Sequence, residues 1–412
     1  MKKIKEAKKE SVEVVKKEKL VDPTSLDGIP GLGDVSKNAI INDGCFNGLE
    51  LVYRGPTYLK ELTGMDRQKA SDAIKFLRKR LEDSGLLRPV HQTATQVQQL
   101  EIVQPKLSTG AKGMDRILGG GLSINSVTEF YGHNGSGKTQ TSHTVCIQAF
   151  KDLKDGGLNK HELKPYCSNC NVFRSEFVQE DNCPTCKESL TKIERPMKVL
   201  FIDTERTTSP ERLTSILAGK GMIVAVPEKY AKKIREGGFL TIDDKKEISE
   251  IEQLQTKEAQ PYLDNVMIWY ALNGINQEEM TAELFHVVPE ENIKLIIVDS
   301  GTALYRGEFI GRGNMKSKFD VMNVMLGNLK KVSELYSVPV VFVNQIYNKP
   351  DEMFGNDPDI PYGGNIIGHM IPTRVKLWKA GRKHKARIIK SNHLDNLDCE
   401  FDIDSSGIID IA

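Results

Sequence analysis

Of four strand-like stretches of the 412-residue chain, 126–131 is mixed, while 197–205, 294–300 and 338–345 are almost continuously apolar and end in polar side chains. Such runs suit strands buried on both faces, since alternation disappears once helices cover each side of a sheet. Residues 139–150 carry a helical pattern between the first two runs. Strands alternating with helices predict a doubly wound α/β sheet over 107–412. Nearer the start, Ala70, Ile74, Leu77 and Leu81 recur at helical spacing, and 58–64 reads as the close of an earlier helix. Residues 21–88 therefore read as a small all-α domain of four or five helices. A short helix over 114–118, between Ser108-Thr109-Gly110 and Gly119-Gly120-Gly121, leads into the first core strand.

The polar intervals divide these units. Residues 1–20, rich in lysine and glutamate, read as a solvated, disordered tail. The glutamine-rich 89–106, with Pro89 and Pro105 near its ends, reads as a linker. Two insertions interrupt the core. One spans 154–194; the other, 223–261, is rich in lysine and glutamate and reads as a solvated helical excursion with no chemistry of its own. With 39% hydrophobic and 27% charged residues the composition is that of an ordinary soluble protein, and no run is long enough to cross a bilayer. A net charge of +1 means that any nucleic acid must be held by local patches.

The chemistry concentrates in a few motifs. Gly132, His133, Asn134, Gly135, Ser136, Gly137, Lys138 and Thr139 have the Walker A spacing between a strand and a helix. Such a loop converges backbone N–H groups on phosphate oxygens. Lys138 would reach the β- and γ-phosphates, and Thr139 would hold Mg²⁺. Asp299, at the carboxyl end of the 294–300 run, matches Walker B and is placed to support the same ion. The chain is thus expected to bind ATP with Mg²⁺. In the first domain, Leu26-Asp27-Gly28-Ile29-Pro30-Gly31-Leu32-Gly33 reads as the hairpin of a helix-hairpin-helix motif, in which Gly31 and Gly33 let the backbone approach a DNA phosphate. Cys167, Cys170, Cys183 and Cys186 form two Cys-x-x-Cys knuckles twelve residues apart, the spacing of a zinc ribbon with Zn²⁺ held by four thiolates. Cys45, Cys146 and Cys399 read as buried apolar side chains.

Walker A, Asp203-Thr204-Glu205, Walker B and Asn344-Gln345 together resemble the RadA-type recombinases, the archaeal branch of the RecA superfamily, and their eukaryotic counterparts. Ser209-Pro210-Glu211-Arg212-Leu213, Ala303-Leu304-Tyr305-Arg306, Gly311-Arg312-Gly313 and the segment from Gly363-Gly364-Asn365 to Thr373-Arg374 extend the likeness across roughly 21–412, insertions excepted. The resemblance implies a RecA-type core and a DNA-dependent ATPase that forms filaments on single-stranded DNA, pairs it with duplex DNA and exchanges strands. It assigns Glu205 as the base for the attacking water, Gln345 as the γ-phosphate switch and Arg212 as the arginine near adenine. It also places Arg312 and Lys318 on a first DNA loop, and Gly363, Gly364 and Asn365 on a second. A homo-oligomeric filament or ring, cytoplasmic (nucleoid-associated) or nuclear according to source, is the expected state. An ATP-binding recombination mediator that forms no long filaments is the alternative.

The sequence also departs from that pattern. Aligning Thr93-Ala94-Thr95 with the polymerisation motif puts His91 where a phenylalanine anchors the next subunit. Arg206 stands where a glycine is usual. Lys390 replaces an aspartate that caps the neighbour's ATP, so its ammonium is expected to take a cation's place beside that γ-phosphate.

Overall fold

A computed structural model describes residues 22–411 apart from 46, 90, 155–162, 169–171, 174–181, 183–187, 309–314 and 348–358. The expected tail therefore lies outside the described residues. The chain forms two compact units, Met1–Pro89 with Glu162–Arg195 and Val90–His161 with Pro196–Ala412.

In the first unit, α1 (Asp34–Asn42), α2 (Gly48–Thr63) and α3 (Arg67–Asp83) follow one another closely. Gly55, at φ 81° ahead of Pro56, breaks α2 into two helical pieces. The side chains of Asn47 and Asp66 cap α2 and α3 by accepting backbone N–H groups. Gly64, at φ 69°, ends α2 in the left-handed conformation. Ala70, Ile74, Leu77 and Leu81 form the buried stripe that their spacing predicts. From α3, Arg80 donates to the carbonyl oxygens of Pro23, Ser25 and Asp27, which ties down the approach to the glycine hairpin. Within the first insertion, β4 (Leu163–Cys167), β5 (Val172–Phe173) and β6 (Thr191–Glu194) make a small antiparallel sheet.

The second unit begins with a difference from the sequence reading. The segment expected as a linker contains a helix, α4 (Ala94–Val103). Thr93 and Gln96 cap it reciprocally: the Gln96 N–H donates to Thr93 Oγ1 at 3.2 Å, and the Thr93 N–H to Gln96 Oε1 at 2.8 Å. Helical capping here outweighs the polarity that suggested a loop. A two-stranded sheet, β1 (Lys106–Leu107) with β2 (Leu122–Ser123), flanks the short α5 (Lys112–Ile117).

The central sheet runs β15-β14-β13-β12-β3-β10-β9-β7-β8. Its strands are β3 (Val127–Gly132), β7 (Lys198–Asp203), β8 (Val266–Tyr270), β9 (Ile293–Asp299), β10 (Val340–Tyr347), β12 (Thr373–Ala380), β13 (Lys383–Lys390), β14 (Asp398–Asp404) and β15 (Gly407–Asp410). The short β11 (Ile360–Pro361) pairs with the far end of β10. Strands β12 to β8 are parallel; β13, β14 and β15 extend the sheet antiparallel. That extension escaped the sequence reading, although Ala386 and Ile388 of β13, like Val375 and Leu377 of the neighbouring β12, alternate as a sheet with one covered face requires.

Helices α6 (Lys138–Lys154) and α7 (Pro210–Gly219) pack on one face with Val199, Phe201, Leu295, Ile297, Val341 and Val343. Helices α10 (Gly274–Glu290) and α12 (Met315–Tyr336) pack together and against β9 and β10. The second insertion folds as α8 (Glu228–Arg235) and α9 (Ile242–Leu263), with Thr241 and Asp244 forming a capping box. Ala259 is the one fully buried residue of α9, in keeping with a solvated excursion.

A charged group lies within the sheet between β12 and β10. Glu129 of β3 is 0% exposed. It accepts from Arg374 Nε of β12, from Arg374 Nη2 at 3.3 Å and from Asn344 Nδ2 of β10 at 2.7 Å. Removing one partner of such a pair leaves a buried charge uncompensated, at a cost of about 3–5 kcal/mol. Arg374→Ala should therefore lower the urea midpoint of the core strongly. Adding Glu129→Gln should recover part of the loss, and a double variant no more stable than Arg374→Ala would refute that account.

Candidate active site

Local backbone demands shape the phosphate loop. A Cβ on Gly132 would stand 2.1 Å from Leu377 O of β12 and 2.6 Å from Ser136 Oγ, so no side chain fits there. Gly135 and Gly137 take φ 77° and 97°, a region glycine enters freely. The loop curls until Lys138 Nζ donates to Gly132 O at 2.8 Å and His133 O at 2.9 Å. Burial holds the Lys138 pKa below its ordinary value, against the opposing pull of Asp299 and Glu205. Its ammonium thus caps its own loop, and an arriving phosphate offers it stronger partners.

The carboxyl ends of β7 and β9 lie side by side, with Asp203 opposite Asp299. Asp203 accepts the backbone N–H groups of Glu205 (3.0 Å), Thr207 (3.3 Å) and Thr208 (2.9 Å), so the turn after β7 is wound about this carboxylate. Thr204 Oγ1 exchanges hydrogen bonds with Ser300, donating to its oxygen and accepting from its N–H, both at 2.9 Å. These contacts aim Glu205 toward β10, where Gln345 Nε2 donates to Glu205 Oε1 at 2.7 Å. Arg306, on α11 (Ala303–Glu308), stands 3.7 Å from the same oxygen. Gln345 and Arg306 share a cleft with Gly132, His133 and Asn134.

The donor set fits Mg²⁺. Asp299 is 3% exposed, its Oδ2 has no hydrogen-bond partner, and the Thr139 hydroxyl bonds the carboxylate. Burial pushes the Asp299 pKa up to about 7, because nothing in the protein compensates its charge fully. A hard cation held by Thr139 and Asp299 would supply that compensation.

Arg212 leaves the start of α7 and donates to Gln140 Oε1 of α6 at 2.7 Å and to the carbonyl oxygens of Ser405 (3.1 Å) and Asp404 (2.5 Å). It braces the phosphate-loop helix against the β14–β15 turn. Arg206 adopts φ 55° and lies over the Tyr270 ring, 4.8 Å from its centroid. Lys390 donates to Gly368 O (2.5 Å) and Ile371 O (3.1 Å) at the end of α13 (Gly364–Met370). Its ammonium is committed within its own chain, and reaching another subunit's phosphate requires releasing both carbonyls.

Gly363 and Gly364 take φ 83° and 49° at the start of α13. The preceding Tyr362 donates its N–H to Gln345 O at 2.9 Å and accepts from Asn344 Nδ2 at 2.9 Å. The glycine pair is thereby joined to the strand that carries Gln345. Arg312 lies outside the described residues. Lys318 and Asn365 are placed on helices α12 and α13, and their side chains lie outside the description. In the first unit Gly31 takes φ 80° and Gly33 caps α1, with nothing within 4 Å of a Cβ on either. The nearby Lys37 is paired with Asp27 (2.8 Å) and Asp34 (3.3 Å).

A family model described as Rad51 matches residues 98–180 and 236–411, more than half of the chain. The chain belongs to the Rad51 family. It is 28% identical over 391 residues, 95% of this chain and 80% of the relative, to a DNA repair and recombination protein RadA of Cenarchaeum symbiosum. A protein of the same name from Ignicoccus hospitalis is 29% identical over 389 residues, covering 94% and 96% of the two chains. The mixed sheet and flanking helices suit the α/β core of the Rad51 family. The sequence reading quoted Arg306 and Asp203 within motifs without giving either a role, and it did not name Gln140. Glu129 was legible as a lone charge in an apolar strand, but its partners are brought to it only by the sheet.

A pH effect follows from α6. His143 is 2% exposed, neither ring nitrogen has a partner, and the ring packs against Phe201. Burial, aided by Arg212, lowers its pKa to about 4, against the attraction of Asp203. The unfolded chain, with an ordinary histidine value near 6.5, therefore binds the proton first. Stability should be intact above pH 6.5 and fall by roughly 3 kcal/mol as pH drops to 4. Thermal scans of His143→Leu should show a shallower loss over that window; an unchanged slope would mean that His143 does not carry the effect.

Proposed function

We propose that this chain is an ATP-dependent recombinase that assembles on single-stranded DNA and exchanges strands with a homologous duplex. The observation that carries this reading is the direct bond from Gln345 to Glu205. It joins the base beside the nucleotide site to the strand that holds the Gly363–Gly364 segment. Lys138 and the loop N–H groups bind the phosphates, and Thr139 and Asp299 would hold Mg²⁺, whose charge would offset that developing on the phosphate oxygens. Glu205 takes the proton of the attacking water, an effect typically worth about 10²–10⁴-fold. Gln345 reports the γ-phosphate to β10 and thence to the DNA-contacting residues Gly363, Gly364, Asn365, Arg312 and Lys318. Gly31 and Gly33 offer N–H groups to a further phosphate.

Two surface features support an oligomer. Strand β8 is one of the sheet's two edges among the described residues, and Tyr270 at its end and Leu272 and Ile275 beyond it are exposed. Within a filament, Lys390 could exchange its two carbonyl partners for a neighbour's phosphate. No described helix is long and apolar enough to cross a membrane, and a cytoplasmic or nuclear location follows from work on DNA. His91, in place of the aromatic anchor, keeps the mediator as the second reading.

In a strand-exchange assay with ATP, the chain should form filaments on single-stranded DNA, and raising salt should weaken binding by about 0.7 log units per contacted phosphate per log unit of salt. Glu205→Gln should retain nucleotide and DNA binding, lose at least about a hundredfold in ATP turnover, and accumulate extended filaments. Turnover at the parental rate would remove Glu205 from its role. Binding indifferent to nucleotide would sink the recombinase reading, and tight binding without filaments would favour the mediator.

We also infer that Cys167, Cys170, Cys183 and Cys186 hold one structural Zn²⁺. Cys167 ends β4 and pairs with Val172 of β5; the other three cysteines lie outside the described residues. Metal analysis of reduced protein should give one zinc per chain. Substituting Cys183 and Cys186 by serine should release it and unfold the ribbon, leaving the ATPase transition in place. Absence of stoichiometric zinc would rule this out.

A further inference from the structure

A second link joins the phosphate loop to the glycine segment, by a route that does not pass through Gln345. His133 is the second residue of the loop, and its ring Nε2 lies 2.8 Å from Asp359 Oδ1. The other oxygen, Asp359 Oδ2, pairs with Lys376 Nζ of β12 at 2.9 Å. Lys376 and Asp359 are largely covered, with side chains 13% and 22% exposed, while the His133 ring is half exposed. Lys376 and His133 together hold the Asp359 pKa below its ordinary value, although burial acts the other way. The carboxylate is therefore a settled anion with a partner on each side.

Position gives the cluster its meaning. Asp359 immediately precedes β11, whose Ile360 and Pro361 pair with Tyr347 and Ile346 of β10. Beyond β11 come Tyr362 and the glycine pair. Lys376 is fixed in β12, where it pairs with Tyr131 of β3, one residue before the loop begins. Asp359 therefore moors the start of β11 to a rigid strand through Lys376 and to the loop through His133. The carbonyl of His133 is also one of the two oxygens that hold Lys138 Nζ. When Lys138 turns to a phosphate, the bonds that fix His133 change with it.

We propose that His133, Asp359 and Lys376 form a positioning relay that sets the Gly363–Gly364 segment according to whether the phosphate loop is filled. The relay rests on the recombinase reading above. It adds a direct mechanical path from phosphate to glycine segment, parallel to the one through Gln345. Asp359 and Lys376 touch no nucleotide in this scheme; they act only through His133 and β11.

The test is a double-mutant cycle read as a ratio: single-stranded DNA affinity with a non-hydrolysable ATP analogue divided by affinity without nucleotide. A general loss of stability would not change this ratio selectively. Asp359→Ala should keep DNA-free ATP turnover within about twofold and cut the ratio by about tenfold, a typical coupling between sites. His133→Ala should cut the ratio similarly, and the double variant should lose no more than either single, as residues acting through one contact do. Asp359→Glu, which keeps the charge and also tests the idea if the alanine variant fails to fold, should retain most of the ratio. Full retention in Asp359→Ala, multiplied losses in the double variant, or equal loss in Asp359→Glu and Asp359→Ala would each overturn the relay. If the unmodified protein shows no nucleotide-dependent ratio, the recombinase reading itself fails, and the two failures are distinct.

Discussion

The carboxylate of Glu129, sealed between strands, is the constraint on which the site depends. A buried anion cannot be left unpaired, so β12 must bring Arg374 and β10 must bring Asn344 to it in one register. Asn344 is then fully committed. Its Oδ1 accepts from Thr302 Oγ1 at 2.7 Å and from the Gln345 N–H at 2.8 Å, and its Nδ2 serves Glu129 and Tyr362 O. The four groups that surround Asn344 belong to the loop after Walker B, to Gln345, to the phosphate-loop strand and to the approach to the glycine pair. Replacing such an ion pair with apolar residues often costs little stability. What would be lost here is the register that lets Gln345 face Glu205.

This division explains how far the sequence could be read. Gly132, Gly135, Gly137, Lys138 and Thr139 act through one turn of backbone, so their spacing alone carries the geometry. The strands β7, β9 and β10 are apolar on both faces and announce themselves as runs. The helix 94–103 hid in a polar stretch because its defining feature is a single capping pair, Thr93 with Gln96. The antiparallel strands β13 to β15 hid because half of each faces outward. Lys390 shows the limit most sharply. Its sequence position suggested a free cation for a neighbour's phosphate, whereas the chain's own α13 ends within reach and takes both bonds. Contacts between residues far apart in the chain, such as Glu129 with Arg374, cannot be read from periodicity at all.

The three acidic residues at the strand ends show how environment separates like groups. Asp203 spends its charge on three backbone N–H groups and becomes a structural pivot. Asp299, also buried but left with an unpartnered oxygen, has its pKa pushed up to about 7 by burial. Glu205 is partly exposed, takes one hydrogen bond from a neutral amide and has a guanidinium close by. Of the three it is the one whose side chain is substantially exposed. A base needs access to its proton donor as well as charge. The turn wound about Asp203 gives Glu205 that access, and the same turn would place it elsewhere if Asp203 lost its three N–H partners. In the proposed mechanism Glu205 is thus positioned by the turn wound about Asp203.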